Sequence, residues 1–397
     1  MQWFILICFI IIFIIIILYL FLYLYKMYKT QFWTYQPVFH IYDIMKWLNP
    51  PGLIREKLPE IYKYTNLTDI QTYTINEIID KKLNAPIVDL IGANYILKEG
   101  GNKTTYTPDQ SNVFEYLNTN KHQSYCSIFF PPLIENKIIA VITARPLYVK
   151  FIQSNTSFHT YYVDNLCVDK GFRKQNIAST MIQTHYHNLR HKNDKINTCL
   201  FKREGTMNAI VPLCVYNVYG VTVKTIKTLL PTTSPSHITL LLITDDNLSL
   251  VVSFIQAKMN EFDCSIQPDE PDLYNLIKTG NFTIYGLFDS DKNTLVSCYV
   301  FKLNGIRYCG GITAECIASL SGVEELHYLG FVRACIDLEE TRQCKFIIIE
   351  DTSHNNYLID KISLNDYDNI CFKTPVAFFF YNYACYSINK SKMFILH

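Results

Sequence analysis

The chain has 397 residues, of which 49% are hydrophobic, and its formal net charge at pH 7 is +1. This length is enough for two packed domains or for one large two-part fold. The near-neutral charge argues against a nucleic-acid-binding protein and against an acidic disordered tail. The 13 cysteines include no CxxC pair, so we expect reduced thiols in a cytosolic compartment rather than a disulfide framework or a zinc site.

The first element is an uninterrupted apolar run at residues 2–25, which contains no charged side chain. A helix of about 20 apolar residues is long enough to cross the core of a bilayer. The run is too long for a cleaved signal peptide, and neither a basic start nor a small-residue cleavage site accompanies it. Lys26 and Lys29 follow the run and no charge precedes it. The positive-inside rule therefore predicts a single-pass membrane protein whose bulk lies in the cytosol.

Residues 161–190 change from a strand period to a helix period. Aromatic and β-branched side chains alternate up to Val168, which indicates a strand. From Ile177 onward, largely apolar side chains recur at every fourth position, which indicates a helix with one apolar face. The turn between the two elements is basic, because it contains Arg173 and Lys174.

This strand–turn–helix unit suits the binding of an acyl-CoA. The start of a helix leaves backbone N–H groups unpaired and carries a partial positive charge, so it binds phosphate groups. A strand that splays near its end can leave two further N–H groups free, at Asn165 and Leu166, and such groups stabilise an oxyanion. The alternative is an ordinary solvated turn between a strand and a helix.

Residues 229–238 contain two prolines and a cluster of Ser and Thr, which is typical of a linker. We therefore predict an N-terminal anchor at residues 1–25, a first domain at 26–228 and a second domain at 239–397. In each half, helical patterns are mixed with strands whose order suggests a mostly antiparallel sheet. The predicted fold class is α/β, in an α+β arrangement.

The last residues of the chain are apolar. Residues 378–383 read FFFYNY and residues 391–397 read SKMFILH. Chain termini are commonly frayed and polar, so an apolar strand at the very end indicates a buried terminus. A plain edge strand is the alternative.

Three segments of the chain resemble the protein N-myristoyltransferase family. Residues 31–38, QFWTYQPV, resemble the family's Phe-Trp-x-Thr-Gln-Pro-Val segment, although their composition alone also fits an aromatic membrane-interface belt. Residues 165–178, NLCVDKGFRKQNIA, resemble the family's acyl-CoA-binding strand and basic turn, with Asn165 in place of the usual Phe. Residues 381–397 resemble its Tyr-Asn run and its final apolar strand. The resemblance implies two GNAT-type acyltransferase lobes with mixed, mostly antiparallel sheets, here preceded by one transmembrane helix.

The resemblance also implies a set of functional residues. The catalytic base would be the terminal α-carboxylate of His397, and the backbone N–H groups of Asn165 and Leu166 would hold the thioester oxygen. Myristoyl-CoA would bind as a co-substrate, with no tightly bound cofactor and no metal. The residues that the resemblance assigns to myristoyl-CoA are Gln31, Phe32, Trp33, Leu166, Cys167, Val168, Arg173, Lys174, Gln175, Asn176, Ile177 and Ala178.

The sequence departs from the family pattern at two places that concern the peptide substrate. Where the family has an acidic loop that recognises basic residues of the peptide, this chain has only KEGGN at residues 98–102. The family's Gly-Asp-Gly is replaced by the region of Phe372, Lys373 and Thr374, so its Asp is missing.

The sequence therefore predicts a glycylpeptide N-tetradecanoyltransferase, which moves a myristoyl group from myristoyl-CoA to the N-terminal glycine amine of a protein or peptide. Its partners would be these two substrates and a membrane, with the catalytic part in the cytosol, and no nucleic acid. Two alternatives remain open. One is another acyl-CoA-dependent N-acyltransferase of the GNAT fold, and the other is a catalytically inactive, membrane-tethered binder of acyl-CoA or peptide.

Overall fold

The structure is a computed structural model that describes residues 2–29, 31–96, 104–132, 137–205, 209–230, 235–303, 305–365 and 369–397. Its α-helices, in chain order, are α1 (Gln2–Lys29), α2 (Gln31–Thr34), α3 (Ile44–Leu48), α4 (Ile75–Asp80), α5 (Asn84–Asn94), α6 (Ile177–Lys192), α7 (Val223–Thr228), α8 (Leu248–Lys258), α9 (Glu270–Lys278), α10 (Glu324–Arg342) and α11 (Asn355–Asn365).

The strands, in chain order, are β1 (Gly52–Leu53), β2 (Ile70–Thr74), β3 (Thr104–Tyr106), β4 (Tyr125–Phe129), β5 (Ala140–Phe151), β6 (Thr156–Val168), β7 (Cys199–Glu204), β8 (Cys214–Thr222), β9 (Ile238–Leu242), β10 (Cys264–Gln267), β11 (Phe282–Asp289), β12 (Thr294–Lys302), β13 (Ile306–Tyr308), β14 (Gly311–Ser321), β15 (Cys344–Glu350), β16 (Phe372–Tyr381), β17 (Tyr383–Ala384) and β18 (Met393–Ile395).

Most of these strands form one continuous 16-stranded sheet. Its main path runs β18-β10-β5-β6-β7-β16-β8-β15-β14-β12-β11-β9. The pairs are antiparallel except for β10 with β18, β6 with β7, and β14 with β15, which are parallel. The predicted α/β class with a mostly antiparallel sheet is therefore confirmed.

One long helix covers each half of the sheet. α6 packs on β5 and β6, and its residues Ile177 and Met181 contribute to the buried layer beneath it. α10 packs on β12 and β15, where Phe331 and Leu338 are fully buried. Apolar side chains that recur every three or four positions give each helix a face toward the sheet. The helix predicted from Ile177 onward is confirmed.

The predicted linker at residues 229–238 falls between α7 and β9, and residues 231–234 lie outside the described part of the chain. Strands from both sides of this linker share the sheet, since β10 pairs with β5, and β16 lies between β7 and β8. The division into a first domain at 26–228 and a second at 239–397 stays a prediction.

The N-terminal helix α1 stands apart from this sheet. The stretch Trp3–Phe21 is long and apolar enough to cross a membrane, and none of it is buried against the rest of the chain. A buried core helix would be covered by the sheet or by other helices, and α1 is not. Its apolar surface is therefore available to an apolar environment outside the protein.

Candidate active site

One cavity is lined by residues from three of the predicted functional segments, whereas residues 173–178 of the predicted basic turn and helix start do not line it. It has a volume of about 1150 Å³ and is lined by parts of α2, β3, β5, β6, α6, β7, β8, β12, β13, β14, β15 and β16 and by the last residue of the chain. Trp33, Asn165, Leu166 and His397 all line it. Segments separated by more than two hundred positions in the sequence therefore meet at one site.

The strand β6 is irregular at the predicted oxyanion position. Its pairing with β5 shifts between Val141 and Thr143, so Asn165 and Leu166 lie in a β-bulge. Asn165 has a φ of 52°, in the left-handed region that Asn tolerates better than most residues. Its side-chain Nδ2 donates to the Thr143 hydroxyl over 3.1 Å, which holds the bulge in place. The splayed strand expected at this position is therefore a bulge on the cavity wall.

The backbone N–H of Asn165 already has an acceptor. It donates to Oδ1 of Asp164 over 2.7 Å, and the Tyr95 hydroxyl donates to the same oxygen over 3.2 Å. The charge of Asp164 raises the pKa of Tyr95 well above its ordinary value, so Tyr95 stays protonated as a donor. Asp164 must release this N–H before Asn165 can stabilise an oxyanion.

The basic turn between β6 and α6 is only partly directed outward. Arg173 donates from its guanidinium to the carbonyl oxygens of Val168 and Asn94, so it fastens the turn to α5. Lys174 and Asn176 are exposed, and both have positive φ, of 64° and 61°.

Asn176 directly precedes α6, whose first turn has no side-chain cap. Gln175 and Ala178 are also exposed, whereas Cys167 and Ile177 are buried. The exposed part of this turn therefore combines a lysine with uncapped helix N–H groups, which is a suitable arrangement for phosphate.

The aromatic segment after α1 forms one wall of the cavity. Trp33 stacks on Phe201 of β7 with 5.6 Å between ring centroids, and Phe32 meets the edge of Trp33 at 5.1 Å. The carbonyl oxygen of Trp33 is 2.9 Å from Nε2 of His40, which holds the short helix α2 in place. Gln31 is the first residue of α2. The cavity wall is therefore fixed by aromatic packing on the sheet.

The end of the chain is buried, as its apolar sequence predicts. β18 pairs in parallel with β10, and the Leu396 N–H donates to the carbonyl oxygen of Ile266 over 2.8 Å. His397 is only 2% exposed. Its ring meets the edges of Tyr162 and Phe378, with centroid distances of 5.4 and 5.2 Å. The last residue therefore has a defined position at the cavity.

A buried charged network surrounds the His397 ring. Its Nε2 lies 3.4 Å from Oε1 of Glu350 and 3.4 Å from Nζ of Lys202. Lys202 and Glu350 form an ion pair at 2.7 Å, and the Tyr216 hydroxyl donates to Glu350 over 2.8 Å. Burial first, and then the charge of Lys202, lowers the pKa of His397 well below its ordinary value. The imidazole is therefore neutral.

Sequence reasoning does not find this network. Its only signal is the presence of two charged residues at the ends of apolar stretches, Lys202 after CLF and Glu350 after FIII. The sequence departs from the family pattern at residues 98–102 and at residues 372–374, and the structure describes only the second of these regions. Phe372 and Thr374 line the cavity, whereas the segment 98–102 lies outside the described residues.

A group of possible metal ligands lies away from this cavity. His237, Asp289 and Asp291 bring one ligand atom each within 4.8 Å of one another, and none of them lines the cavity. Asp289 accepts hydrogen bonds from the N–H groups of Asp291 and Lys292. This carboxylate thus orders the turn between β11 and β12.

A continuous, mostly antiparallel sheet with a long helix over each half makes this a mixed α/β fold, and its match among solved structures is to the GNAT-like fold. The structure superimposes on Saccharomyces cerevisiae N-myristoyltransferase with bound myristoyl-CoA at a TM-score of 0.70 and 13% identity, covering 90% of this chain and 94% of that one. A second structure with myristoyl-CoA gives 0.69 and 13%, covering 91% and 90%. A third, with myristoyl-CoA and inhibitors, gives 0.69 and 14%, covering 90% and 91%.

These likenesses show that the chain has the N-myristoyltransferase fold, at a sequence identity that marks it as divergent. The resemblance expected from the sequence is confirmed at the level of the fold. No protein-family sequence model matches the chain, and neither does any curated protein sequence.

Proposed function

We propose that this protein transfers a myristoyl group from myristoyl-CoA to the N-terminal glycine amine of a protein or peptide. One observation carries the proposal: the buried last residue, His397, lines the same cavity as the bulge at Asn165 and Leu166. The fold that holds them is that of enzymes solved with bound myristoyl-CoA. A base and an oxyanion site on one cavity are the parts that acyl transfer requires.

In this proposal, the donor lies across the cavity and the basic turn. Lys174, Gln175 and Asn176 with the first N–H groups of α6 bind the CoA phosphates. The aromatic segment Gln31, Phe32 and Trp33 contacts the CoA end through backbone and rings. The acyl chain occupies the apolar part of the cavity, where Ile142, Ile182 and Phe201 are found.

The reaction proceeds by direct attack, without a covalent enzyme intermediate. The α-carboxylate of His397 removes one proton from the glycine ammonium, directly or through water. The amine nitrogen then forms a bond to the thioester carbon, and backbone N–H groups at the bulge stabilise the oxyanion. When the C–S bond breaks, the CoA thiolate takes the second proton from nitrogen. The products are the amide, CoA thiol and one released proton.

A second candidate is a catalytically inactive binder, and one contact favours it. The Asn165 N–H is paired with Asp164, and a carboxylate next to the thioester oxygen opposes the build-up of negative charge there. A binder has no need for this N–H to become free. The enzyme therefore requires a rotation of Asp164 when the acyl-CoA binds.

The test uses the full chain in lipid nanodiscs with myristoyl-CoA and a glycine-ended peptide, and it measures the release of CoA thiol and the mass of the peptide. The enzyme should release CoA together with a peptide that gains one myristoyl group, and an N-acetylated copy of the peptide should give none. Tight binding of myristoyl-CoA without peptide-dependent release would support the binder. Faster transfer from acetyl-CoA than from myristoyl-CoA would instead indicate another acyltransferase of this fold.

We extend this proposal to the location of the protein, as a single-pass membrane protein with its catalytic part in the cytosol. The hydroxyl of Tyr19 in α1 donates to the carbonyl oxygen of Tyr42 over 2.9 Å. Tyr19 lies two residues, about 3 Å of helix rise, from the end of the apolar stretch Trp3–Phe21.

The loop before α3 is thereby level with the end of the apolar stretch. The exposed apolar side chains next to this contact, which we call the α3 face, are Ile41, Ile44, Met45, Trp47 and Leu48. An exposed apolar face with a Trp beside a membrane span favours contact with the bilayer surface.

A further inference from the structure

Two cations share one aromatic ring on the cavity wall. Tyr116 is buried, and the guanidinium carbon of Arg145 lies 4.1 Å from the centroid of its ring. Nζ of Lys302 lies 4.5 Å from the same centroid and 3.3 Å from the Tyr116 hydroxyl. Lys302 and Tyr116 both line the cavity. Arg145 does not line the cavity, but it lies against the Tyr116 ring and adds positive charge close to the wall that Lys302 and Tyr116 form.

Neither cation has an anionic partner within the described residues. Arg145 is 1% exposed, and its Nε and Nη2 have no hydrogen-bond partner there. Asp164 and Glu315 line the same cavity, but neither forms an ion pair within 4.0 Å of Lys302 or Arg145. Asp164 instead accepts from Tyr95 and from the Asn165 N–H. Buried charges without a counter-charge are costly, so the arrangement favours binding of an anion.

Lys302 lines the same cavity as the last residue of the chain. The charges of Lys302 and Arg145 contribute, after burial and Lys202, to lowering the pKa of His397. Lys202 is neutralised by its ion pair with Glu350. The positive charge of Lys302 therefore faces the cavity in which the acceptor amine must meet its base.

We propose that Lys302, with the charge of Arg145 on the same aromatic ring, forms a subsite for a carboxylate of the acyl acceptor. This deepens the proposed function, on which it rests, by naming the acceptor as a glycine amine with a carboxylate near it. The carboxylate has two possible sources with the same chemistry. One is an Asp or Glu side chain directly after the N-terminal glycine, and the other is the terminal carboxylate of free glycine or a very short peptide.

This charge preference differs from that of the family's acidic loop, which the resemblance associates with basic residues of the substrate. A carboxylate that accepts a hydrogen bond from Lys302 makes a charge-assisted bond, which is stronger than that of a neutral amide. The amine of the same acceptor is then held beside the terminal carboxylate of His397. The subsite would thus orient the acceptor as well as select it.

The experiment compares matched acceptors on the full chain in nanodiscs with myristoyl-CoA. One pair is the amidated peptide Gly-Asp-Ala-Ala against Gly-Asn-Ala-Ala, and the other is Gly-Gly as a free acid against its amide. We expect kcat/KM to be roughly 10- to 100-fold higher for the acid of at least one pair. The pair that shows the preference identifies the source of the carboxylate.

The variant Lys302→Met tests whether the subsite causes this preference. It should reduce the ratio of acid to amide to within about threefold. The matched control, Lys278→Met, removes an exposed lysine of α9 and should leave the ratio unchanged. A ratio near one in the wild type, or a large ratio that survives in Lys302→Met, would overturn the subsite.

A binding measurement separates the failure of the subsite from the failure of the proposed function. Calorimetry with the same peptides uses protein loaded with a thioether analogue of myristoyl-CoA, which cannot transfer its chain. Preferential binding of the acid with no turnover of any acceptor would contradict the transferase and keep the subsite. Equal binding of acid and amide, or no binding of either, would reject the subsite whatever the turnover.

Discussion

The two ends of the chain are both apolar, but one is buried in the core and the other is exposed. Met393 to His397 lie in the core, beside β10, and His397 is 2% exposed. At the other end, Trp3 is 79% exposed and the whole stretch Trp3–Phe21 is uncovered. A short apolar end with strand period finds a partner strand, whereas a long apolar helix finds no matching face on this sheet. Apolar composition therefore predicts removal from water, but not which apolar environment receives the segment.

The buried end depends on charged neighbours, and the exposed end does not. Glu350→Gln should lower the free energy of unfolding by up to about 3 kcal/mol, because it leaves Lys202, whose side chain is only 21% exposed, without its counter-charge. Glu339→Gln is the matched control, since Glu339 pairs with Lys227 and Lys345 at a more exposed position and should change stability by less than about 1 kcal/mol.

These two stabilities are measured by urea unfolding of the full chain in detergent. Equal effects of Glu350→Gln and Glu339→Gln would contradict the account of the buried end. A loss of stability confined to Glu350→Gln would agree with it, because the network around the last residue is part of the core.

Lowering the pH should reduce the stability of the buried sheet but have no direct effect on α1. Residues 2–25 contain no acidic or basic side chain that could take up a proton. Burial lowers the pKa of His185 to about 3, while His in an unfolded chain titrates near about 6.5. The unfolded state therefore takes up its proton first as the pH falls. The stability that neutral His185 contributes is present above pH 6.5 and is lost as the pH falls toward 3.

Between pH 7 and pH 5, this histidine should lower the free energy of unfolding by about 2 kcal/mol. His185→Gln removes the titrating group, so its free energy of unfolding should fall by that much less than the wild type between the two pH values. His397→Leu should show the same sign, because the pKa of His397 is also lowered by burial. An identical pH dependence in wild type and both variants would refute this.

The smallest expected effect is contact between the α3 face and lipid, which should change the stability of the protein little. A photo-crosslinking side chain at Leu48, which is 70% exposed, should react with lipid in nanodiscs several times more than one at Leu242, an exposed leucine on the edge strand β9. The α3 face adjoins the Tyr19–Tyr42 contact, whereas β9 lies at the far edge of the sheet path. Equal lipid labelling, or crosslinks from Leu48 to a second copy of the chain, would argue against bilayer contact.

The strand, the helix from Ile177 and the apolar chain end could be predicted because each depends on local period and composition. The irregular point of β6 at Asn165 and Leu166 also agrees with the splayed strand expected near the end of that strand. The network of Lys202, Tyr216 and Glu350 could not be predicted, because it needs contacts between strands 148 positions apart. The inward direction of Arg173 and the contact of Asp164 with the Asn165 N–H depend on side-chain geometry that residue type does not determine.

The central claim is that the α-carboxylate of the last residue acts as the base. The most direct test is single-turnover CoA release from the full chain preloaded with myristoyl-CoA and mixed with an accepted peptide. A chain ending at Leu396 moves this carboxylate back by one residue, about 3.3 Å, whereas His397→Leu keeps it in place. The truncated chain should bind myristoyl-CoA normally and lose roughly 10²- to 10⁴-fold in rate, and His397→Leu should lose far less. Equal rates for the truncated and intact chains would contradict the claim.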